Sequence, residues 1–217
     1  VAPDSQARTR LARGAVLDAA KALFLERGYA ATTIEAISAA SRVPSATVYR
    51  LFTSKLRLLQ ALFSATLPEG TVSADGEPAP VPDHPKLGVL LAEPDPRMQV
   101  ATFAGIARDI LSRGSEVYPI LVTAAGSDPQ AASLLAAYTR TREQGQGHLS
   151  RCLASRRSLR PGLSERAAAD IVHALASPEV YQLLVTGRGW SPGQYEQWLA
   201  ATLASQLLQL HQEGTKK

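Results

Sequence analysis

TIEAISAASRVPSATVYRLFTSK, residues 33–55, decides how the rest of the chain is read. Ile34, Ile37 and Ala40 recur at helical spacing and predict a short helix with one buried stripe. Thr32-Thr33 stands where such a helix takes its N-cap, and Glu35 puts a negative charge in the first turn, where the helix dipole favours it. Arg42-Val43-Pro44 ends the helix, because Pro44 lacks an amide proton and pushes Val43 out of helical geometry. Ser45 then caps a second helix running to about Phe52, with Val48 and Phe52 facing inward. Ser45, Thr47, Tyr49 and Arg50 fall on the opposite side, and Lys55 follows in the first turn of a helix opened by Thr53-Ser54. A bracing helix, a tight break and a short helix with hydroxyl, aromatic and basic groups outward is the order a helix-turn-helix DNA reader needs. Hydroxyls and a guanidinium donate to phosphate oxygens or base edges, and a tyrosine can lie against the sugar-phosphate backbone. Lys55 is expected to join free backbone amides in an anion site.

Working outward, Arg8 to Arg27 reads as a preceding helix with Val16, Ala20, Leu23 and Phe24 on one face and Gly28 as its stop. After Lys55, the residues Leu56, Leu59, Leu62 and Phe63 form the apolar side of the next helix. The charge is localised in the same region. Residues 1–60 hold nine Lys/Arg against four acids, whereas residues 61–217 hold fourteen basic and fifteen acidic residues. The whole net charge of +4 therefore comes from the first quarter of the chain. A basic field confined to the segment that carries the motif is the electrostatic footprint of phosphate binding.

Composition bounds the remainder. A length of 217 residues allows a small domain and a larger one, with an ordinary apolar fraction for a globular core. The single cysteine, Cys152, excludes an intramolecular disulfide framework and a multi-cysteine metal site. No apolar run approaches the roughly 18 residues of a membrane span, and VAPDSQARTR has no apolar h-region of a secretory signal. A reducing, cytoplasmic setting is the expectation. Between Leu67 and Pro85 the chain carries five prolines in 19 residues without periodicity, which predicts a flexible loop at about 68–86. Further helices are expected over Pro96–Arg113, Val117–Ala125, Pro129 to about Arg157, Ser164–Thr186 with a kink at Pro178, and Pro192 to about Gln212. No segment alternates as a strand would. The expected fold is all-α, with a helix-turn-helix domain over 1–54 and a larger helical domain over 55–217.

Residues 8–60 resemble the N-terminal domain of the TetR family of bacterial transcriptional regulators. Phe24, Gly28 and Tyr29 match its F-x-x-x-G-Y turn. Thr32, Thr33, Ile34, Ile37 and Ser38 match its T-T-[IV]-x-x-[IV]-A/S stretch, and Thr47, Val48, Tyr49, Phe52, Ser54 and Lys55 match its recognition-helix pattern. The resemblance implies DNA contacts at Thr47, Tyr49 and Lys55 and a phosphate contact at Thr33. Together with their neighbours, the expected DNA-contacting set is Thr33, Ser45, Ala46, Thr47, Tyr49, Arg50 and Lys55. The chain departs from the family at Arg42, where glycine is usual, and at Pro44, where a serine cap is common. If Arg42 keeps a positive φ, its side chain costs on the order of 1 kcal/mol.

Beyond residue 60 the likeness is looser, although SPEVYQLLVTGRGWSPGQYEQWLAATL (residues 177–203) looks like the last two helices of actinobacterial members. In the family such helices pair across a two-fold axis. The apolar stripe here supports a homodimer through Leu175, Val180, Leu183, Tyr195, Trp198, Leu199, Leu203 and Leu207, with packing inside one chain as the alternative. The family logic places an effector pocket among the middle helices, with Phe63, Met98, Phe103, Ile106, Tyr118, Leu121, Leu135, Tyr138, Arg142, Val172 and Leu175 as candidate lining. Arg142 falls on the register of Leu135, Tyr138, Leu149 and Cys152, and an inward guanidinium calls for an anionic partner, with Glu143 and Asp109 in reach of the sequence argument. His148 and His173 read as structural histidines.

No nucleophile-base set, phosphate-binding glycine loop or metal-ligand spacing is present, so neither catalysis, a metal nor a cofactor is expected. The function expected is a homodimeric repressor that binds a double-stranded operator and is released by a small-molecule effector, the two ligands opposing each other reciprocally. The alternative is an effector-independent regulator, constitutive or controlled by a protein partner.

Overall fold

Serine, threonine and aspartate caps, several followed by proline, divide this chain into helices. The computed structural model describes residues 3–66 and 85–209, with the side chains of 3–5, 85 and 86 excepted. Among the described residues every regular element is helical, apart from one isolated antiparallel bridge between Leu159 and Leu208. The helices are α1 (Pro3–Ala31), α2 (Ile34–Ser41), α3 (Ser45–Phe52), α4 (Lys55–Ser64), α5 (Pro85–Ala92), α6 (Pro96–Gly114), α7 (Tyr118–Ala125), α8 (Pro129–Ser155), α9 (Glu165–Leu175), α10 (Pro178–Tyr181) and α11 (Pro192–Leu207). A π-helical turn, Gln182–Thr186, continues α10. Asp95, Ser177 and Ser191 each accept a first-turn amide ahead of a proline at the first helical position. That arrangement satisfies an orphan donor and presets φ at once. Gln194 completes a capping box with Ser191.

Two compact units result. The first takes the described parts of residues 1–79 and 116–138, and the second those of 80–115 and 139–217. By packing, then, the first unit reaches past residue 54, where the sequence expectation divides the chain, because α4 and α7 close its core. Val16, Ala20, Leu23 and Phe24 of α1 meet Ile34, Ile37, Val48 and Phe52, with Leu58, Leu59, Leu62 and Phe63 from α4 and Ile120, Leu121 and Ala124 from α7.

In the second unit α6 and α11 lie against each other. Val100, Phe103, Ala104, Ala107 and Leu111 bury against Tyr195, Leu199, Leu203 and Leu207. A Cβ at Gly105 of α6 would stand 3.2 Å from Glu196 Oε1, the movable end of a side chain on α11.

Several boundaries differ from the sequence expectation. α5 was not anticipated, because LGVLLA is a short apolar run without helical period. The segment 164–186 is three pieces instead of one kinked helix, since Ser177-Pro178 restarts the chain with a fresh cap. α11 stops at Leu207, where Arg160 takes its last carbonyls: its amide donates to Leu207 O (2.8 Å) and its Nε to Gln206 O (2.7 Å). The proline-rich stretch expected as a loop falls almost entirely at residues 67–84, outside the described residues. No helix among the described residues is long and apolar enough to cross a membrane.

Candidate nucleic-acid interface

The helix-turn-helix is assembled from the caps inward. Gly28, at φ 80°, breaks α1 one turn before its end, a conformation that glycine adopts without a Cβ penalty. The following Thr32 is buried and donates its hydroxyl back to Gly28 O (2.8 Å) and Leu23 O (3.2 Å), satisfying carbonyls that the break frees. Thr33 caps α2 by accepting from the Ala36 amide at 3.1 Å. α2 ends at Arg42, whose φ of 56° and ψ of 26° are left-handed. Two serines hold the turn that follows. Ser38 Oγ donates to Val43 O at 2.7 Å, and Ser41 Oγ accepts from the Val43 amide at 3.4 Å.

α3 differs from expectation in its cap. Pro44 is the N-cap and Ser45 the first helical residue, so Ser45 does not cap the helix and no side chain caps its first turn. Proline carries no acceptor there, and the family's serine is missing one position too early for Ser45 to replace it. Val48 and Phe52 are buried, as their spacing requires, while Ala46, Tyr49 and Arg50 are exposed and Ser45 and Thr47 partly so. Tyr49 is 46 % exposed, and its hydroxyl lies 3.5 Å from Glu35 Oε1, too long to hold the ring. Arg13 lies over the Phe52 ring, 4.6 Å from its centroid.

Left-handed residues flank α3 on both sides. Thr53 has φ 45°, unfavourable for a β-branched residue. Arg42→Gly should relieve the strain on the other side and raise the unfolding free energy by about 0.5 kcal/mol, after the larger entropy of glycine in the unfolded chain is deducted. A urea midpoint unchanged or lowered in that variant would contradict the strain.

Lys55 is placed differently from the sequence expectation. Its ammonium donates to Tyr29 O (2.7 Å), Thr32 O (3.0 Å) and Ala30 O (3.3 Å), and sits 4.4 Å from the centroid of the Tyr29 ring. Instead of joining free amides around an anion, it caps carbonyls at the C-terminal end of α1, where the helix dipole favours a cation. Burial lowers its pKa, while the Asp128 carboxylate pulls the other way.

Asp128 is a structural anchor that the motif did not reveal. Oδ2 accepts from the Tyr29 hydroxyl (3.0 Å), and Oδ1 accepts from the Gln130 and Ala131 amides at the start of α8 (2.9 and 3.3 Å). Burial works to raise its pKa, but these hydrogen bonds and the charge of Lys55 hold it below the ordinary carboxylate value. The Asp-Pro pair at 128–129 was the legible signal for it.

The remaining expected residues separate. Phe63, Tyr118, Leu121, Leu135 and Tyr138 belong to the first unit, where the Tyr138 ring meets Phe63 edge-on at 4.7 Å. Phe103, Ile106, Val172 and Leu175 belong to the second, and Met98 is 52 % exposed. Tyr195, Leu199, Leu203 and Leu207 are fully buried within their own chain, so they do not present the dimer surface expected of them. Leu183 is 63 % exposed, and Leu175, Val180 and Trp198 are partly buried.

Arg142 pairs with neither Glu143 nor Asp109. Its Nη2 donates to His173 Nε2 at 2.9 Å. An arginine cannot accept, so the imidazole proton sits on Nδ1 and is donated to Gln146 Oε1 at 3.0 Å. Gln146 Nε2 in turn donates to Ala176 O at 3.0 Å. Burial pushes the His173 pKa down and Arg142 pushes it further, against Glu143, Glu179 and Asp170. The folded chain therefore binds this proton less readily than the unfolded chain. Stability is full above about pH 6.5 and falls as the pH drops through that value. His173→Gln should reduce the stability lost between about pH 7.5 and about pH 5.5, with a residue of slope from His148, which burial and Arg151 also push down. An unaltered slope would mean that His173 titrates normally.

Residues 16–62 match the model of the bacterial regulatory proteins of the tetR family. None of the curated proteins matches the chain. Among solved structures, NalD of Pseudomonas aeruginosa, the secondary repressor of the MexAB-OprM multidrug efflux pump, superposes with a TM-score of 0.71 at 22 % identity, over 93 % of this chain and 98 % of NalD. SmeT in its triclosan complex gives 0.65 at 18 % identity, over 91 % and 92 %. GusR of Salmonella enterica gives 0.60 at 16 % identity, over 90 % and 95 %. At these identities the likeness is one of fold: a helix-turn-helix domain followed by a larger helical domain.

Proposed function

We propose that the chain, whose residues 16–62 match the model of the tetR family of bacterial regulatory proteins, is a cytoplasmic, homodimeric transcriptional repressor, released from its operator by a small molecule bound in the larger domain. The observation that carries this reading is α3. It packs Val48 and Phe52 inward and leaves Ala46, Tyr49 and Arg50 exposed on one short helix. Such a helix enters the major groove with its exposed face toward the bases. Arg50 and Thr47 are the donors for base edges or phosphate, and Tyr49 lies along the backbone. Thr33 and Arg42, the two caps of α2, flank the groove, and Ser45 and Ala46 bring the uncapped first turn of α3 toward phosphate. Two copies are required because one short helix reads too few base pairs, and a dimer matches half-sites one helical turn apart.

Footprinting on the DNA flanking its own gene tests the reading. A protected palindrome is expected, and no protected site at low salt would sink it. Tyr49→Ala should weaken binding to the protected site about tenfold with the dimer intact by sedimentation. Equal affinity for both proteins would remove Tyr49 from the interface.

A further inference from the structure

Buried polar atoms are nearly always paired, and Arg142 departs from that rule. Its Nε and Nη1 are shielded from solvent and meet no hydrogen-bond acceptor. Its bonded partner, His173, supplies a lone pair and no negative charge. Two donors of one guanidinium are thus held away from water unmet, on a side chain that is partly exposed as a whole. The arrangement is also fixed. His173 is held by Gln146, itself bonded to the carbonyl of Ala176, so the imidazole cannot turn away without also breaking its bond to Gln146. The Tyr195 phenol lies close enough to feel the Arg142 charge and is itself held by Leu175 O at 3.2 Å. The result is a preset donor group in want of an anion.

We propose that Arg142 anchors a binding site for an organic monocarboxylate, with His173 fixing the guanidinium plane. The proposal rests on reading the larger domain as effector-binding and names the chemical class of the effector. One guanidinium balances one negative charge. Glu143, Glu179 and Asp170 all act on the neighbouring His173, and their field opposes a phosphate dianion more than a carboxylate. A carboxylate takes a planar two-point contact on a guanidinium edge, here through Nε or Nη1 together with the second proton of Nη2.

The test is calorimetric titration of the full chain, without DNA, with sodium octanoate and sodium benzoate, against octanamide, benzamide and inorganic phosphate. At least one carboxylate should bind saturably while its amide and phosphate do not. Arg142→Met should weaken that binding at least tenfold, and its ligand-free melting temperature should equal or exceed that of the parent, since two unmet donors have left the interior. Should the methionine variant fail to fold, Arg142→Gln, which retains a donor for His173, must lose the carboxylate in the same way. Absence of binding by both carboxylates, or equal binding by the substituted chain, overturns the proposal. Operator affinity is measured separately. A carboxylate that binds through Arg142 without weakening DNA binding leaves the site standing and removes its effector role. A chain that binds operator but no carboxylate keeps the DNA reading and loses the site.

Discussion

Leu203→Ala is expected to lower the unfolding free energy by about 3 kcal/mol, a fall in melting temperature of about 10 °C for a chain of this size. Leu203 has no exposed surface and faces α6 between Leu199 and Leu207, whose side chains are equally buried. Removing most of its side chain leaves a cavity that two packed helices cannot close without losing their other contacts. Sedimentation decides what kind of residue it is. If the stripe of α11 were a dimer surface, the variant would be a folded monomer with little change in melting. Loss of melting temperature with the oligomeric state retained at low temperature is the result expected from the packing.

Lys55→Met carries the second large effect, a loss of about 2 kcal/mol. The substitution keeps most of the aliphatic stem and leaves the carbonyls of Tyr29, Ala30 and Thr32 without their cation. It also leaves Asp128 facing Tyr29 without the charge that steadies it. Since α4 starts at Lys55 directly after α3, operator affinity should fall as well, through the placement of α3. The salt dependence distinguishes the two roles. A brace leaves the slope of log affinity against log salt unchanged, whereas a phosphate contact reduces it by about one ion. A reduced slope with normal melting would return Lys55 to the DNA surface.

The helix-turn-helix was legible in the sequence because its information is local. A cap, a spacing of three or four and a proline are readable within one turn, and Thr33, Val48 and Phe52 stand where those rules put them. The second unit was less legible for a physical reason. The repeat Tyr195, Leu199, Leu203, Leu207 states that one face of a helix is buried, but not whether α6 or another copy of the chain buries it. Lys55 was misjudged in a similar way. Its position at a helix start suggests an anion site, and only the fold brings the end of α1 within reach. Arg142 shares a helical register with Tyr138, Leu149 and Cys152, yet its partner His173 lies 31 residues away in sequence, where no local pattern points to it.

Cations other than those of the interface close helix ends within each unit. Lys55 serves α1, Arg160 serves α11, and Arg156 donates to Leu91 O (2.9 Å) and Glu93 O at the end of α5. These are contacts to neutral carbonyls at hydrogen-bond range, which mobile ions screen weakly, whereas attraction to a phosphate backbone across solvent is screened over a length of about 8 Å at physiological ionic strength. The protein's basic residues thus divide into a salt-resistant set that is structural and a salt-sensitive set that is available to a polyanion. Raising the ionic strength should strip DNA from the chain long before it disturbs the fold, so that purification from nucleic acid demands only salt and no denaturant.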